Sequence, residues 1–398
     1  MRSSLREQRE AGITPMGGPL FSFGFRPFFL GAGIWAILSI ALWLGALAGL
    51  WELAPGYGAL AWHAHEMIFG YGAGVVAGFL LTAVPNWTGR LPVSGWRLLL
   101  LFALWCAARI AFLATDVTGP IPAVVIDSLF LPCLLFALAR EVVAGRNWRN
   151  LRPLALVALL AAANIAFHFE VLAMGAPNVA SRIGVAALIA LIMLIGGRIV
   201  PSFTRNFLSR MKAERLPVPF NRFDVVTLLF SGLALVLWVV RPASDLTGFF
   251  FLIAALIQCV RLWRWAGLQT WHEPIVFVLH LGYAFVPLGF LLGAISILVP
   301  GGVTGTAALH AWTVGAIGLM TLAVMTRATL GHTGREVRAS TATVAIYGTM
   351  ILAALLRISA SFVPDAYGIM LEVAGAAWIA AFAIFLFEYG PMLLGPKR

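Results

Sequence analysis

Seven histidines are scattered through a chain of 398 residues, and the tightest group is Trp62-His63-Ala64-His65-Glu66. Residues two apart on a helix point about 200° from one another, so one ion does not easily take both imidazoles. The pair suits a helix standing between two centres, each ring serving its own side, unless the helix starts late enough for both to converge. Glu66 lies three residues beyond His63 and shares its face, where a carboxylate can orient the ring or move a proton. His168 and His310 fall near the ends of other apolar runs, and His280 lies deeper in its own, about 10 Å from the run's start at 1.5 Å per residue. His272 and His332 fall in polar loops and read as solvated residues at the margin of any site.

Imidazole is a ligand that haem iron and copper share. Cys106, Cys133 and Cys259 are isolated inside apolar runs, so the chain has no paired motif for an iron-sulfur cluster or a covalently attached haem. The candidates are therefore a non-covalent haem b and copper. A bis-imidazole haem needs His63 or His65 together with His310, and His280 serves a second centre or a proton path. Copper is held by His63 or His65 with His168, completed by a methionine or water. Histidines that only hydrogen-bond across helices give the same pattern, and spacing alone does not separate the two readings.

Arg26, Arg109, Arg198 and Arg357 lie within or at the ends of apolar runs, where each guanidinium needs an anion. Haem propionates are one source, and Glu170 and Glu372 are carboxylates of the chain itself. Arg109 and Arg198 stay as cofactor-binding candidates, whereas Arg26 and Arg327 read as snorkelling to the interface. Gly70, Gly74 and Gly78, spaced at four, admit a neighbouring helix or a flat macrocycle.

The elements that must position these residues are membrane spans. Hydrophobic residues make up 61% of the chain and charged ones 11%, which leaves no room for a sizeable soluble domain. Taking about 20 apolar residues per crossing, the sequence predicts an all-α, twelve-helix membrane protein. Its spans run near 27–50, 62–85, 96–115, 121–140, 153–174, 182–204, 223–240, 246–265, 274–299, 307–330, 341–361 and 367–390. The net charge of +11 belongs to topology rather than to nucleic acid, because alternate loops hold nearly all the cations. By the positive-inside rule those loops are cytoplasmic, together with the arm over 1–24 and the C-terminal Lys397-Arg398. No short apolar core precedes a cleavage site, so the first span is read as a retained anchor.

The second, sixth and tenth predicted spans end alike. Val84-Pro85-Asn86-Trp87-Thr88-Gly89-Arg90 echoes Val200-Pro201-Ser202-Phe203-Thr204-Arg205, and Gly331-His332-Thr333-Gly334-Arg335 closes the tenth. Three repeats of four helices, over 25–150, 151–266 and 267–398 of a single domain covering 1–398, account for this. Four-helix units of this kind resemble the architecture of the haem-copper oxidase main subunit, at the level of fold only.

Ordered motifs on at least four spans resemble the NnrS proteins. They are Phe21-Ser22-Phe23-Gly24-Phe25-Arg26-Pro27-Phe28-Phe29, Trp62-His63-Ala64-His65-Glu66-Met67, the run from Gly78 to Arg90, His280-Leu281-Gly282-Tyr283, the run from Leu309 to Ala316, and Met325-Thr326-Arg327-Ala328 with Gly331-His332-Thr333-Gly334-Arg335. The resemblance implies a bacterial inner-membrane protein that contains haem and copper and belongs to the nitric oxide and nitrosative-stress response beside denitrification. On that basis the expected function is binding, and detoxification or reduction, of nitric oxide by a haem-dependent oxidoreductase, with Glu66 as proton donor and quinol or another carrier as electron source. The chain lacks an adjacent His-His pair and has no histidine in its sixth or seventh span, which speaks against a copper site of the oxidase type. Two alternatives stay open: a twelve-span transporter of a small metabolite or metal complex, and an assembly factor handling haem or copper for denitrification enzymes.

Overall fold

A computed structural model describes residues 18–397. Most of the expected N-terminal arm, and Arg398 of the expected cytoplasmic C-terminus, lie outside the described residues. Twelve helices long and apolar enough to cross a membrane follow one another: α1 Phe25–Leu47, α2 Ala59–Thr88, α3 Trp96–Leu113, α4 Pro120–Ala144, α5 Trp148–Met174, α6 Val179–Arg210, α7 Arg222–Val240, α8 Asp245–Trp263, α9 Pro274–Leu298, α10 Gly305–His332, α11 Thr341–Phe362 and α12 Pro364–Leu394. At 18 to 32 residues and 1.5 Å per residue, the helices are roughly 27–48 Å long, comparable to or longer than a hydrocarbon core of about 30 Å. The protein is therefore a multi-pass, all-α membrane protein.

The helix ends extend past the apolar runs for identifiable reasons. α6 continues beyond residue 204 to Arg210, because a polar last turn keeps its internal hydrogen bonds once it has left hydrocarbon. Asn221 and Asp224 form a reciprocal capping box at the start of α7, and the hydroxyls of Thr304 and Ser340 cap α10 and α11. Three spans widen locally into π-helical turns, Glu66–Gly72 in α2, Ile192–Gly196 in α6 and Ala311–Gly318 in α10. These are the spans whose endings match in sequence.

The chain forms two compact units. The first holds residues 18–184, 325–336 and 385–397, with α1 packed on α2, α3 on α4, and α4 on both α2 and α5. In it Phe28 sits edge-on to Phe102 and Trp105. Arg26 does not simply snorkel: it is buried, and its guanidinium donates to the carbonyls of Met392, Leu393 and Gly395 at the end of α12. The second unit holds 185–324 and 337–384, with α8 packed on α7 and α9, and α10 on α9 and α11. Phe251, Phe290, Trp238 and Trp312 form its aromatic core.

Candidate metal centre

The first unit brings two histidines and a carboxylate onto one point. Nε2 of His65, on the first turns of α2, lies 3.1 Å from Oδ2 of Asp127 on α4. Nε2 of His168, on α5, lies 3.0 Å from the same oxygen. Asn164 is four residues before His168 and so shares its face; its Nδ2 donates to Asp127 Oδ2 at 2.7 Å and its Oδ1 stands 2.9 Å from His65 Nε2. One ligand atom from each of His65, Asp127 and His168 lies within 4.8 Å of the others, a spacing at which the three could hold one metal ion. All three are buried.

Each of these groups is fixed from behind. Glu66 Oε1 lies 2.9 Å from Nδ1 of His65, and Glu66 Oε2 accepts the indole N–H of Trp35 at 2.7 Å and pairs with Arg109 Nε at 3.2 Å. Arg109 also donates through Nη2 to Asp127 Oδ1, so one guanidinium joins both carboxylates. Tyr57, in the loop before α2, places its hydroxyl 2.8 Å from His168 Nδ1. Burial first, and then the negative charges of Asp127 and Glu66, hold the Tyr57 hydroxyl above the ordinary phenol range, so it keeps its proton; with His168 Nε2 as a ligand atom, Nδ1 carries the N–H and the Tyr57 oxygen accepts it. Phe69, Phe112 and Phe167 wall the His65 ring. A metal ligand whose second nitrogen is held by a carboxylate or hydroxyl has a fixed tautomer and a fixed ring plane.

The predicted site residues are thus sorted. His65, Glu66, Arg109 and His168 are together in the first unit. His63, two residues from His65, turns to the other side and stacks on Trp43, with ring centroids 4.6 Å apart and 14° between planes. The anion that Arg109 requires comes from Asp127 and Glu66, not from a bound group. Glu66 reaches the centre through His65, and both its oxygens are engaged. Glu170 is a cap: it accepts the backbone N–H groups of Asn178 and Ala180 at the start of α6. The Gly70, Gly74 and Gly78 stripe is filled by Arg109, Trp105 and Phe29, which leaves no room there for a macrocycle.

His280, Arg198 and His310 lie in the second unit. The Thr204 hydroxyl gives its proton to Val200 O, so it accepts from His280 Nε2 at 2.7 Å; His280 Nδ1 is then a bare lone pair, buried and without a partner against Gly267. Nearby, Asp224, Arg261, Tyr283 and Gln258 form a buried chain of hydrogen bonds. Arg198 is exposed on α6. His310 Nδ1 lies 2.8 Å from the Thr306 carbonyl oxygen; since a carbonyl has no proton to give, Nδ1 carries the N–H and Nε2 the lone pair.

Sequence reasoning missed Asp127, Asn164, Tyr57 and Trp35. Asp127 had a signal, being a carboxylate seven residues inside a span, where ionisable groups mark sites. Asn164 had a weaker one in its i,i+4 spacing to His168. Tyr57 and Trp35 had none, because a loop tyrosine and a span tryptophan are ordinary in membrane proteins.

A family model described as NnrS protein matches residues 19–397, nearly the whole chain. No curated protein matches it.

Proposed function

Since the chain belongs to the NnrS family, we propose that it is a metal- and haem-holding membrane protein that binds nitric oxide and takes part in its reduction or removal at the bacterial inner membrane. The observation that carries this reading is the convergence of two imidazole nitrogens on one buried carboxylate oxygen, at His65, His168 and Asp127. Two neutral imidazoles and one carboxylate suit copper, and the same donor set is the one used by non-haem ferrous sites. Copper is the metal the family resemblance implies; the carboxylate favours reading iron beside it.

For haem, the supporting residue is His310, whose Nδ1–H is tied to a backbone carbonyl, the arrangement that leaves Nε2 available to an iron. Haem, when bound there, would supply the iron to which nitric oxide binds. The chain supplies the rest. His65, His168 and Asp127 would hold the metal, Glu66 and Tyr57 orient the two rings, and Arg109 balances the two carboxylates so that the buried group is not a net double anion. The phenylalanine wall excludes water while admitting an apolar gas from the lipid. Glu66, an ion-paired carboxylate with both oxygens engaged, holds the His65 ring from behind rather than supplying a proton, and electrons would come from quinol or a separate carrier.

The test is an optical spectrum of the detergent-purified protein, reduced and then exposed to nitric oxide, with copper and iron measured on the same sample. Near-stoichiometric haem with a Soret band that shifts on exposure, plus a non-haem metal lost in His65→Ala and His168→Ala, is the expected result. Careful preparations containing neither haem nor metal would overturn it, and the buried histidines would then be substrate contacts of a transporter.

A further inference from the structure

An asparagine inside a membrane span is costly, because both ends of its amide must find partners in hydrocarbon. Asn164 lies on α5 four residues before His168, so the two side chains share one face of the helix. It is only 2% exposed and meets His65 of α2 and Asp127 of α4. Chemistry decides which end of the amide faces which group. Asp127 is a carboxylate paired with Arg109 and can only accept, so its Oδ2 takes the amide nitrogen, at 2.7 Å. The amide oxygen is thereby turned the other way, where it stands 2.9 Å from His65 Nε2.

That position is on the ligand side of the imidazole. The groups that steady the two rings approach from behind, Glu66 at Nδ1 of His65 and Tyr57 at Nδ1 of His168. Asn164 instead approaches at Nε2, among the atoms that could hold an ion. With bonds of about 2.0–2.1 Å, neighbouring donors around a four-coordinate ion stand ~2.9–3.4 Å apart. The corresponding separations are 3.1 Å from His65 Nε2 to Asp127 Oδ2, 3.0 Å from His168 Nε2 to Asp127 Oδ2, and 2.9 Å from His65 Nε2 to Asn164 Oδ1. The amide oxygen has the spacing of a ligand.

We propose that Asn164 Oδ1 is the fourth protein donor of the metal centre, completing a set of two nitrogens and two oxygens. This rests on the metal reading above and adds a ligand to it. Three protein donors leave a position to water, whereas four close the shell. In a centre walled by Phe69, Phe112 and Phe167, an amide from α5 keeps water away from the ion. Its N–H meanwhile holds Asp127 Oδ2, so one side chain both binds the ion and fixes a neighbouring ligand. A neutral donor also completes the set without adding a third carboxylate to the two that Arg109 balances.

The experiment loads the full-length protein in nanodiscs with Cu²⁺ alone, after growth on asparagine labelled with carbon-13 at the side-chain carbonyl. Electron-nuclear double resonance of the wild type is expected to show an isotropic carbon-13 coupling, carried through the metal–oxygen bond. A purely through-space coupling would overturn the assignment while leaving the metal reading in place. Competition against a chelator then separates a ligand from a prop for Asp127. Asn164→Leu, which keeps the volume and has no oxygen, is expected to weaken copper binding at least about tenfold. Asn164→Asp keeps an oxygen and loses the N–H, and is expected to bind at least as tightly as the wild type. Wild-type affinity in Asn164→Leu, or equal losses in both variants, would show that Asn164 is no ligand. A wild type that binds no Cu²⁺ would remove the metal reading, and this inference with it. The labelled wild type decides the matter even where neither variant accumulates.

Discussion

Asp127 Oδ2 is addressed by His65, His168 and Asn164 at once, while Asp127 Oδ1 and Glu66 share a single arginine. Removing one member of a buried charge set leaves the others uncompensated and costs about 3–5 kcal/mol. Asp127→Asn is therefore expected to abolish metal retention and also to lower the unfolding temperature markedly. Tyr57→Phe separates the two effects. It deletes one hydrogen bond, worth about 1 kcal/mol in stability, but frees the ring of His168, for which loss of an outer partner lowers metal affinity about 10–100-fold. Competition against a chelator of known affinity, read beside thermal unfolding, checks both variants; wild-type affinity in Tyr57→Phe would show that the hydroxyl does not orient the ligand. At this scale the histidines were legible because imidazole is conspicuous in hydrocarbon. Arg109 was legible as a charge in need of a partner, but a guanidinium does not say from which helix its anion comes. That depends on α3 lying beside α4, which residue type and spacing do not encode.

The helices were legible from apolar run length alone, and their ends less so, since α6 stays helical through Arg205 and Arg210 after its hydropathy has fallen. The π-helical turns left no mark in residue type. The one in α2 begins at Glu66, immediately after His65, and its wide turns put Gly70 against Arg109 and Glu66, while the Trp105 indole donates to the Gly70 carbonyl at 3.0 Å. A methyl group at position 70 would meet Glu66 Oε2 at 2.5 Å and the Arg109 guanidinium closer still. Gly70→Ala is thus an overpacking change next to the ion network, expected to destabilise by about 1–3 kcal/mol. Gly232, inside α7, offers the contrast: an added methyl meets nothing within 4 Å. There the gain in helix propensity dominates, and Gly232→Ala is expected to stabilise by roughly 0.5–1 kcal/mol. Unfolding followed by circular dichroism in one detergent decides the pair; a Gly70→Ala variant as stable as the wild type would mean that the α2 backbone does not approach Arg109 so closely.

Over the whole chain, the loops alternate in charge. Those after α2, α4, α6, α8 and α10 carry Arg90, Arg146, Lys212 with Arg215, Arg264, and Arg335 with Arg338; those after α1, α3, α5, α7, α9 and α11 hold Arg241 as their only cation. Because cationic loops resist translocation, the first set is expected in the cytoplasm. In that orientation the His65–Asp127–His168 cluster lies toward the outer face. His65 is the seventh residue of α2, Asp127 the eighth of α4, and His168 lies six residues before the end of α5, all counted from ends that meet the cation-poor loops. At 1.5 Å per residue, each is about 9–11 Å below that surface, and Tyr57 descends from one of those loops to reach His168. The cluster would then lie nearer the outer leaflet than the inner one. Single cysteines introduced at Pro300 and Glu214, in a background with Cys106, Cys133 and Cys259 replaced, test the orientation. A membrane-impermeant maleimide is expected to label Pro300→Cys in intact cells and Glu214→Cys only after permeabilisation. The opposite pattern would invert the protein and turn the His65–Asp127–His168 end of the first unit toward the cytoplasm.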